Sequence, residues 1–441
     1  MKLVKMSLAA AMLMGVSAFA VDNVKISGDA QVVYGTWDAD GVGYDAVAVD
    51  TDGALFDKDS SAADAALHLN VSADLLPGIS AGASYTAISS LGLENNFVSN
   101  VWASSHTASV PNGNNYANTP TTQAVLGIGG AKVENSSWFN EAWAAVTLGH
   151  TTAKVGRMAL DTPLAFTETW SVEQNTFEAA VLLNQDLPDT TLVAAYVGNG
   201  NGTEFFGDGG ANWSNVYSLG LAYTGIVNGD GAFSTYGTDG AYAFGIVNNS
   251  FKPLTVQAWY YDVTRTAQAY WIQADLNMEG IMLGGQYTDV DAGDLTGLDA
   301  DNAFAVMAGF ATDAFTIKGS YSSVSDNGVG AGWNTATNLF TAQSKLYTEA
   351  WWNYGYVAMV DATSFNITGE ASLSGFDLGA YYTSVSNDTM TTHEVNELTI
   401  TAGTQLLGAL DATLAYINTD AKDQNNGDAY NAVQVYLTLN F

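Results

Sequence analysis

The residues best suited to chemistry in this sequence are carboxylates, and their densest group is in the segment 38–59. The chain has 45 Asp and Glu against 12 Lys and Arg, a formal net charge of −33. Two Asp-x-Asp-Gly words in this segment resemble fragments of calcium-binding loops, but neither has the bidentate Glu of an EF-hand at its twelfth position. Loose binding of Ca²⁺ or Mg²⁺ and plain solvation of a loop both stay open. The aspartates are Asp38, Asp40, Asp45, Asp50, Asp52, Asp57 and Asp59.

Catalytic chemistry finds little support among the other reactive residue types. The chain has no cysteine, which excludes disulfides and thiolate metal sites. The four histidines show neither the spacing of a metal site nor a companion serine elbow. We therefore predict no enzyme, no cofactor and no resident metal, although a hydrolase built from scattered Ser, His and acidic residues stays open. Nucleic-acid binding is disfavoured at this negative charge. The histidines are His68, His106, His150 and His393.

The first twenty residues have the composition of a secretory signal peptide. Lys2 and Lys5 precede an apolar run over 8–16, and residues 18–20 form a small-x-small cleavage site. The apolar run is too short to span a bilayer as a helix. We therefore predict that 1–20 is removed on export and that 21–441 forms a single domain.

The rest of the chain alternates apolar and polar residues in segments of about ten, the length that a tilted strand needs to cross a bilayer. Alternation places successive side chains on opposite faces of a strand. No later stretch reaches eighteen apolar residues, so helical spans are excluded. The pattern predicts an all-β transmembrane barrel with one apolar and one polar face. Clear examples are 270–278, 315–322, 365–373, 397–406 and 433–441.

Tight turns and long polar segments alternate between these strands. Turn chemistry marks 76–78, 187–189, 278–280 and 373–375. Eight turns and nine loops predict eighteen strands, with twenty if 215–224 is a strand and sixteen if weak strands near 153–185 merge. Short periplasmic turns and long extracellular loops are typical of a bacterial outer-membrane barrel. The longer segments are 38–61, 91–136, 160–175, 199–240, 291–301 and 326–360.

The segment "NAVQVYLTLNF" indicates how the sheet closes. Its alternation runs to Phe441 and would leave a sticky edge unless that edge is paired. We expect it to pair with the first strand, 24–35, and close the barrel. A strand of this kind with a final Phe resembles the signal that the barrel assembly machinery recognises. Alternatively Phe441 anchors the strand in an aromatic belt, and both roles are compatible.

A barrel of sixteen to eighteen strands leaves an aqueous channel, and the alternation assigns charged residues to its lumen. Acids outnumber bases seven to one among them, with His68 uncounted, so we expect a preference for cations. The predicted pore-lining residues are Asp64, His68, Asp74, Asp275, Lys318, Glu370, Asp377, Glu397 and Asp411.

The segment 137–198 resembles porins of the epsilonproteobacterial major outer membrane protein type, which are distantly similar to the substrate-specific porins of pseudomonads. The segment 239–263 is also typical of this group. The resemblance implies an eighteen-stranded barrel, usually a trimer, that carries small hydrophilic solutes and ions. The matching words are Asn140-Glu141-Ala142, Val155-Gly156-Arg157, Asp161-Thr162-Pro163-Leu164, Asn175-Thr176-Phe177-Glu178 and Pro188-Asp189-Thr190-Thr191.

The resemblance also implies that the third loop, 158–176, folds inward and forms a constriction. A group of carboxylates that faces one guanidinium would set up a transverse field and orient dipolar solutes. Alternatively, most of these acids solvate an external loop, and the segment 326–360, with Lys345 and Glu349, is the next candidate for the constriction. The predicted constriction residues are Arg157, Asp161, Glu168, Glu173 and Glu178.

Arg157 is the one residue for which parity and resemblance disagree. Parity places it on the same face as Val155, the lipid side, whereas the resemblance points it into the pore. A lipid-facing arginine costs ~2–4 kcal/mol near the bilayer midplane. We therefore expect a bulge or the start of the loop to reset the register. A structural salt bridge from Arg157 to a carboxylate of the wall is the alternative.

Together these observations favour an outer-membrane porin, a water-filled and cation-preferring channel for passive diffusion of ions and small hydrophilic solutes. Its expected partners are outer-membrane lipid and lipopolysaccharide, the barrel assembly machinery, and further copies of the chain in a homotrimer. Divalent cations could bridge the acidic loops to the lipopolysaccharide. A substrate-specific channel and a secreted acidic β-rich adhesin or surface-layer protein stay open as alternatives.

Overall fold

The computed structural model describes the chain over 22–39, 53–57, 61–89, 91, 100–101, 135–202, 227, 231–337 and 342–441. The predicted signal peptide and the segment 215–224 lie outside these residues. Within the described ranges, no helix is long and apolar enough to cross a membrane.

The described residues form eighteen long strands, each antiparallel to its neighbours, which confirms the predicted fold class and strand count. Two-residue strands at Asn100–Val101 and Ser234–Thr235 add short pairings at the ends of the second and seventh strands. The long strands are β1 (Asp22–Trp37), β2 (Ser61–Leu76), β3 (Ile79–Ser89), β4 (Ser136–Leu148), β5 (Thr151–Met158), β6 (Phe177–Asn184), β7 (Thr190–Gly200), β8 (Ala241–Asn248), β9 (Leu254–Val263), β10 (Ala267–Met278), β11 (Ile281–Asp291), β12 (Asp301–Ala311), β13 (Phe315–Val324), β14 (Ala362–Leu373), β15 (Phe376–Asn387), β16 (Val395–Leu406), β17 (Leu410–Ala421) and β18 (Tyr430–Asn440).

The sheet closes between β1 and β18, as the sequence predicts. β1 pairs with β2 on one side and with β18 on the other, where Asp29 lies opposite Asn440 and Val33 opposite Tyr436. Because every long strand then has two neighbours, the sheet has no open edge.

Turns of two to five residues join the strands at one end of the barrel, and the connections at the other end are longer loops except for the three residues 264–266. The turn 279–280 has positive φ at both Glu279 and Gly280, the conformation that a two-residue type I′ hairpin requires. The turns are 77–78, 149–150, 185–189, 249–253, 279–280, 312–314, 374–375 and 407–409. The loops are 38–60, 90–135, 159–176, 201–240, 264–266, 292–300, 325–361, 388–394 and 422–429, with short helical turns at Gly293–Thr296, Tyr354–Ala358 and Asn425–Gly427.

Alternation divides each strand between the outside and the inside of the barrel. In β10, Tyr270 and Ile272 are 47% and 53% exposed on the outward face, whereas Trp271 between them is fully buried inside. The largest buried cluster joins wall residues to loop residues such as Leu164, Trp333 and Leu346. The core therefore lies between the inner wall and the segments folded into it.

Candidate functional site

Two loops, 159–176 and 325–361, pack against each other inside the barrel. The backbone N–H of Phe166 donates to Oδ1 of Asn334 at 3.0 Å, and Nδ2 of Asn334 donates back to the carbonyl of Phe166 at 2.9 Å. The side-chain amide of Asn334 thus pairs with the backbone of Phe166 as a neighbouring strand would. The segment predicted from the resemblance and the segment named as its alternative are parts of one assembly.

Glu168 links the two loops through its carboxylate. Its side chain is 1% exposed, so it contacts protein groups rather than water. Burial raises the pKa of this carboxyl, and the hydrogen bonds that it accepts act in the opposite direction. The donors are Asn334 Nδ2 at 2.9 Å, Thr337 Oγ1 at 2.6 Å, the Gln343 N–H at 3.2 Å and Trp170 Nε1 at 2.9 Å.

A second buried carboxylate, Glu397 of β16, holds the loop 325–361 against the wall. It accepts hydrogen bonds from the backbone N–H groups of Trp352 at 3.0 Å and Asn353 at 2.7 Å, and from Nδ2 of Asn353 at 2.8 Å. Over its described residues, the loop has no regular strand pairing to accept these hydrogen bonds. The carboxylate of Glu397 therefore supplies the acceptors that buried donors require.

The same loop is tied to β10 and β11 on its other side. Gln286 donates to the carbonyl of Lys345 at 2.8 Å and accepts from the N–H of Tyr347 at 3.1 Å. The hydroxyl of Tyr347 donates to Oδ1 of Asp275 at 2.5 Å. The backbone around Lys345 is therefore held against the inner wall by β10 and β11.

An ion pair between Lys345 Nζ and Asp161 Oδ1 joins the two loops at a solvent-exposed position. The side chains are 32% and 88% exposed, so both charges reach water. The ammonium group also lies 4.8 Å from the ring centroid of Phe166. Of the five predicted constriction residues, Asp161 alone combines a place on an inward loop with wide exposure, since Glu168 and Glu173 are buried.

The structure differs from the prediction for Arg157 and Glu178. No reset of register occurs in β5: Arg157 lies opposite exposed Ala142 and opposite Glu178, two residues after Val155, which is 59% exposed on the outward face. Residues directly opposite each other share a face of the sheet. Arg157 and Glu178 therefore lie on the outside of the barrel, near its loop end, and not in the lumen.

The outward position of Arg157 is made tolerable by its partners. Nε of Arg157 donates to Oε1 of Glu178 at 2.9 Å, and a terminal nitrogen donates to the carbonyl of Phe139 at 3.2 Å. The guanidinium carbon lies 4.1 Å from the ring centroid of Phe233, and Nδ2 of Asn199 donates to the second oxygen of Glu178. This arrangement is the structural salt bridge that the sequence left open as an alternative.

All nine predicted pore-lining residues lie on inward positions of their strands, but their surroundings differ. Asp64 and Glu397 are buried, and Asp275 is engaged by Tyr347. His68 contacts Asp29 at 2.7 Å. The more open positions carry local partners: Asp74 with Asn23, Glu370 with Tyr381, Asp377 with Ser372, and Asp411 with Gln405 and Asn440. Lys318 of β13 lies opposite Gly309 of β12 on one side and Thr368 of β14 on the other.

Several inward charges escaped the sequence prediction, and Asp29 and Lys154 are the clearest of them. Asp29 lies directly opposite His68, and Lys154 places its ammonium 4.3 Å from the ring centroid of Trp143. Both could have been found by parity, because Lys154 precedes the outward Val155 by one residue. With Lys25, which lies opposite Ser72 near the turn end, the inward face of the described strands therefore contains two lysines besides Lys318.

Of the seven aspartates between 38 and 59, only Asp38 and Asp57 belong to the described residues. Both oxygens of Asp38 accept hydrogen bonds from Asn431, through its N–H at 2.6 Å and its Nδ2 at 2.8 Å. Across the described segments, no group of three or more His, Cys, Asp or Glu is placed to hold a metal ion. The proposed loose binding of divalent cations stays a prediction.

This barrel is similar in fold to solved structures of other outer membrane proteins, three of which illustrate the likeness. They are the outer membrane protein OpdK from Pseudomonas aeruginosa, OpdK with vanillate, and OccAB3 of Acinetobacter baumannii, with TM-scores of 0.64, 0.65 and 0.63. Each is 12% identical to this chain, and each match covers 95% of this chain and 98–99% of the other. No protein-family model and no curated protein matches the chain. The distant similarity to pseudomonad channels is thus matched in fold, and the epsilonproteobacterial type stays a prediction.

Proposed function

We propose that this protein is an outer-membrane porin, a water-filled channel for passive diffusion of ions and small hydrophilic solutes. The observation that carries the proposal is a closed eighteen-stranded barrel with an apolar outward face, a polar lumen and two loops packed inside it. A barrel of this width is wide enough to leave an aqueous channel. The turn end would face the periplasm and the loop end the cell exterior.

Cation preference is the finer part of this proposal. The inward face carries seven predicted acids and also Asp29, Glu141 and Asp301, whereas its lysines are Lys25, Lys154 and Lys318. Fixed charges act over a Debye length of about 8 Å at physiological salt, which is comparable to the dimensions of a narrow pore. An acidic wall of this kind concentrates cations and repels anions.

The constriction in this proposal is formed by both inward loops. Asp161 and Lys345 supply the charges that reach water, Glu168 and Glu397 anchor the loops that carry them, and Glu173 is buried. Arg157 and Glu178 leave the constriction because they face outward.

The test is the zero-current potential of the purified protein in planar bilayers across a KCl gradient of about tenfold, at low salt, where screening is weak. We expect stepwise conductance and cation preference, with Asp161→Asn lowering the preference and Lys345→Gln raising it. The control is the Arg265–Asp239 ion pair at the loop end, whose side chains are well exposed. Arg265→Gln with Asp239→Asn should leave the potential unchanged. Absence of any conductance contradicts the porin proposal.

Assembly belongs to the same proposal. The chain would be exported by residues 1–20, inserted by the barrel assembly machinery and assembled as a homotrimer in the lipid and lipopolysaccharide of the outer membrane. The outward face of β4 to β7 supports self-association, because it has an apolar depression of about 510 Å³ lined by Ala144, Ala180 and Ala194 beside larger residues. Ala144→Trp should weaken a trimer seen by analytical ultracentrifugation in detergent, whereas Ile317→Trp on the opposite side should not.

A further inference from the structure

We infer that the Lys345–Asp161 pair makes the channel favour zwitterionic solutes, small molecules with one ammonium and one carboxylate group, over neutral solutes of the same size. This inference rests on the proposed porin function and names the solute class for its constriction. The supporting features are the opposite charges of the pair, their attachment to different loops and their exposure to water.

The backbone beside each charged residue is held by hydrogen bonds, whereas the charged side chains are exposed to water. Gln286 fixes the carbonyl of Lys345, and the neighbouring Ser344 N–H donates to Glu349. On the other loop, Asp161 pairs in a β-bridge with Phe166, whose ring supports the ammonium group of Lys345. The backbones therefore stay in place when the side chains exchange partners.

The exposure of the pair makes that exchange easy. A solvent-exposed ion pair is only weakly stabilising, because water already solvates both charges. A zwitterion that enters can place its carboxylate beside Lys345 and its ammonium beside Asp161. One ion pair within the protein is then replaced by two between protein and solute, and no charge is left without a partner.

Other charge classes fare worse at this position. A simple cation can pair with Asp161 but leaves Lys345 facing it with the same charge. A simple anion can pair with Lys345, but the acidic wall repels it on its way through the lumen. A zwitterion has no net charge and so escapes that repulsion, while the field between the two groups aligns its dipole.

The test compares two isosteres, glycine and glycolamide, in swelling of proteoliposomes. Both carry no net charge and have almost the same size, but glycine is a zwitterion and glycolamide is neutral. We expect the wild-type channel to admit glycine several-fold faster than glycolamide at low salt. Added KCl should reduce this ratio because it screens the pair.

Three variants make the test specific to the pair. Lys345→Gln with Asp161→Asn should bring the ratio of the glycine rate to the glycolamide rate close to one. The charge swap Lys345→Asp with Asp161→Lys should restore the preference for glycine, because it keeps two opposite charges on the same two loops. The double variant Arg265→Gln with Asp239→Asn should behave like the wild type.

The possible failures are distinguishable. Equal rates in the wild type, or an unchanged preference after both charges are removed, overturn the inference while glycolamide entry still supports a porin. If neither solute enters and no KCl conductance is seen, the porin proposal fails and this inference fails with it.

Discussion

Gly28 and Phe441 exchange both of their backbone hydrogen bonds at the seam where the barrel closes. The N–H of Gly28 donates to the carbonyl of Phe441 at 2.8 Å, and the N–H of Phe441 donates back at 2.9 Å. A Cβ atom on Gly28 would lie 2.8 Å from two ring carbons of Phe441 and 2.4 Å from the carbonyl oxygen of His68. The seam therefore leaves no room for a side chain at position 28.

Gly28→Ala should weaken the closed barrel. Because the added methyl group meets a backbone oxygen as well as a ring, we expect a loss of about 1–3 kcal/mol in the free energy of unfolding. The measurement is the urea midpoint of the heat-modifiable gel band. Gly319→Ala is the matched control, since a Cβ there meets no atom within 4 Å. Equal midpoints for the two variants would contradict the steric argument.

Deletion of Phe441 should slow insertion and leave unfolded precursor in the periplasm. The deletion removes both seam hydrogen bonds to Gly28 and the apolar ring that ends the alternating strand. Fractionation of pulse-labelled cells measures the precursor. Normal yield in the outer membrane would count against Phe441 as an assembly signal.

Glu168→Ala should loosen the inward loops without opening the barrel. Four donors lose their acceptor, and each buried donor left without a partner costs about 1–3 kcal/mol. Strand pairing does not involve this residue, so the barrel should keep its heat-modifiable mobility. Cleavage by trypsin after Lys345 should become faster. Glu394→Gln, which alters a separate ion pair with Lys422, is the control; equal cleavage in both variants would argue against the link.

The packing of the inward loops should weaken as the pH rises. Burial, and then the negative charges of Glu168 and Glu397, raise the pKa of Glu349 well above its ordinary value, and burial raises the pKa of Glu168. A carboxyl whose folded pKa is raised stabilises the fold below its unfolded pKa and loses that effect as the pH rises through the folded value. Current fluctuations should be greater at about pH 8 than at about pH 5, and Glu349→Gln should reduce the difference. Fluctuations that grow toward acid would reverse the sign and refute the prediction.

Arg157→Ala should leave ion selectivity unchanged and lower thermal stability. Arg157 faces outward, and its loss leaves Glu178 with Asn199 as its remaining hydrogen-bond donor. The zero-current potential should match that of the wild type, in contrast to Lys345→Gln. A shift toward cations in Arg157→Ala would restore this residue to the constriction.

The wall of the barrel could be predicted because a strand repeats every two residues, so alternation near Tyr270 or Ile317 shows both the strand and its outward face. The same parity placed Arg157 correctly on the side of Val155, and the resemblance misplaced it. The interior loops have no such period. Asp161 and Glu168 are both acids of one loop, yet one reaches water and the other is buried against Asn334 and Thr337, 166 and 169 residues further along the chain. Contacts between residues so far apart along the chain produce no local pattern in the amino-acid sequence.

The strands β5, β6 and β8 have eight residues each, with the eleven residues of β7 among them, whereas β14, β15 and β16 on the far side have twelve. At about 3.3 Å per residue and a tilt near 40°, eight residues rise about 20 Å and twelve about 30 Å. A lipid bilayer of uniform thickness therefore meets a wall of uneven height and must thin beside the short strands. This hydrophobic mismatch has an elastic cost that falls when the short sides of neighbouring molecules meet and exclude lipid. The uneven wall would thus draw copies together by the mechanics of the membrane, independently of any specific contact between them.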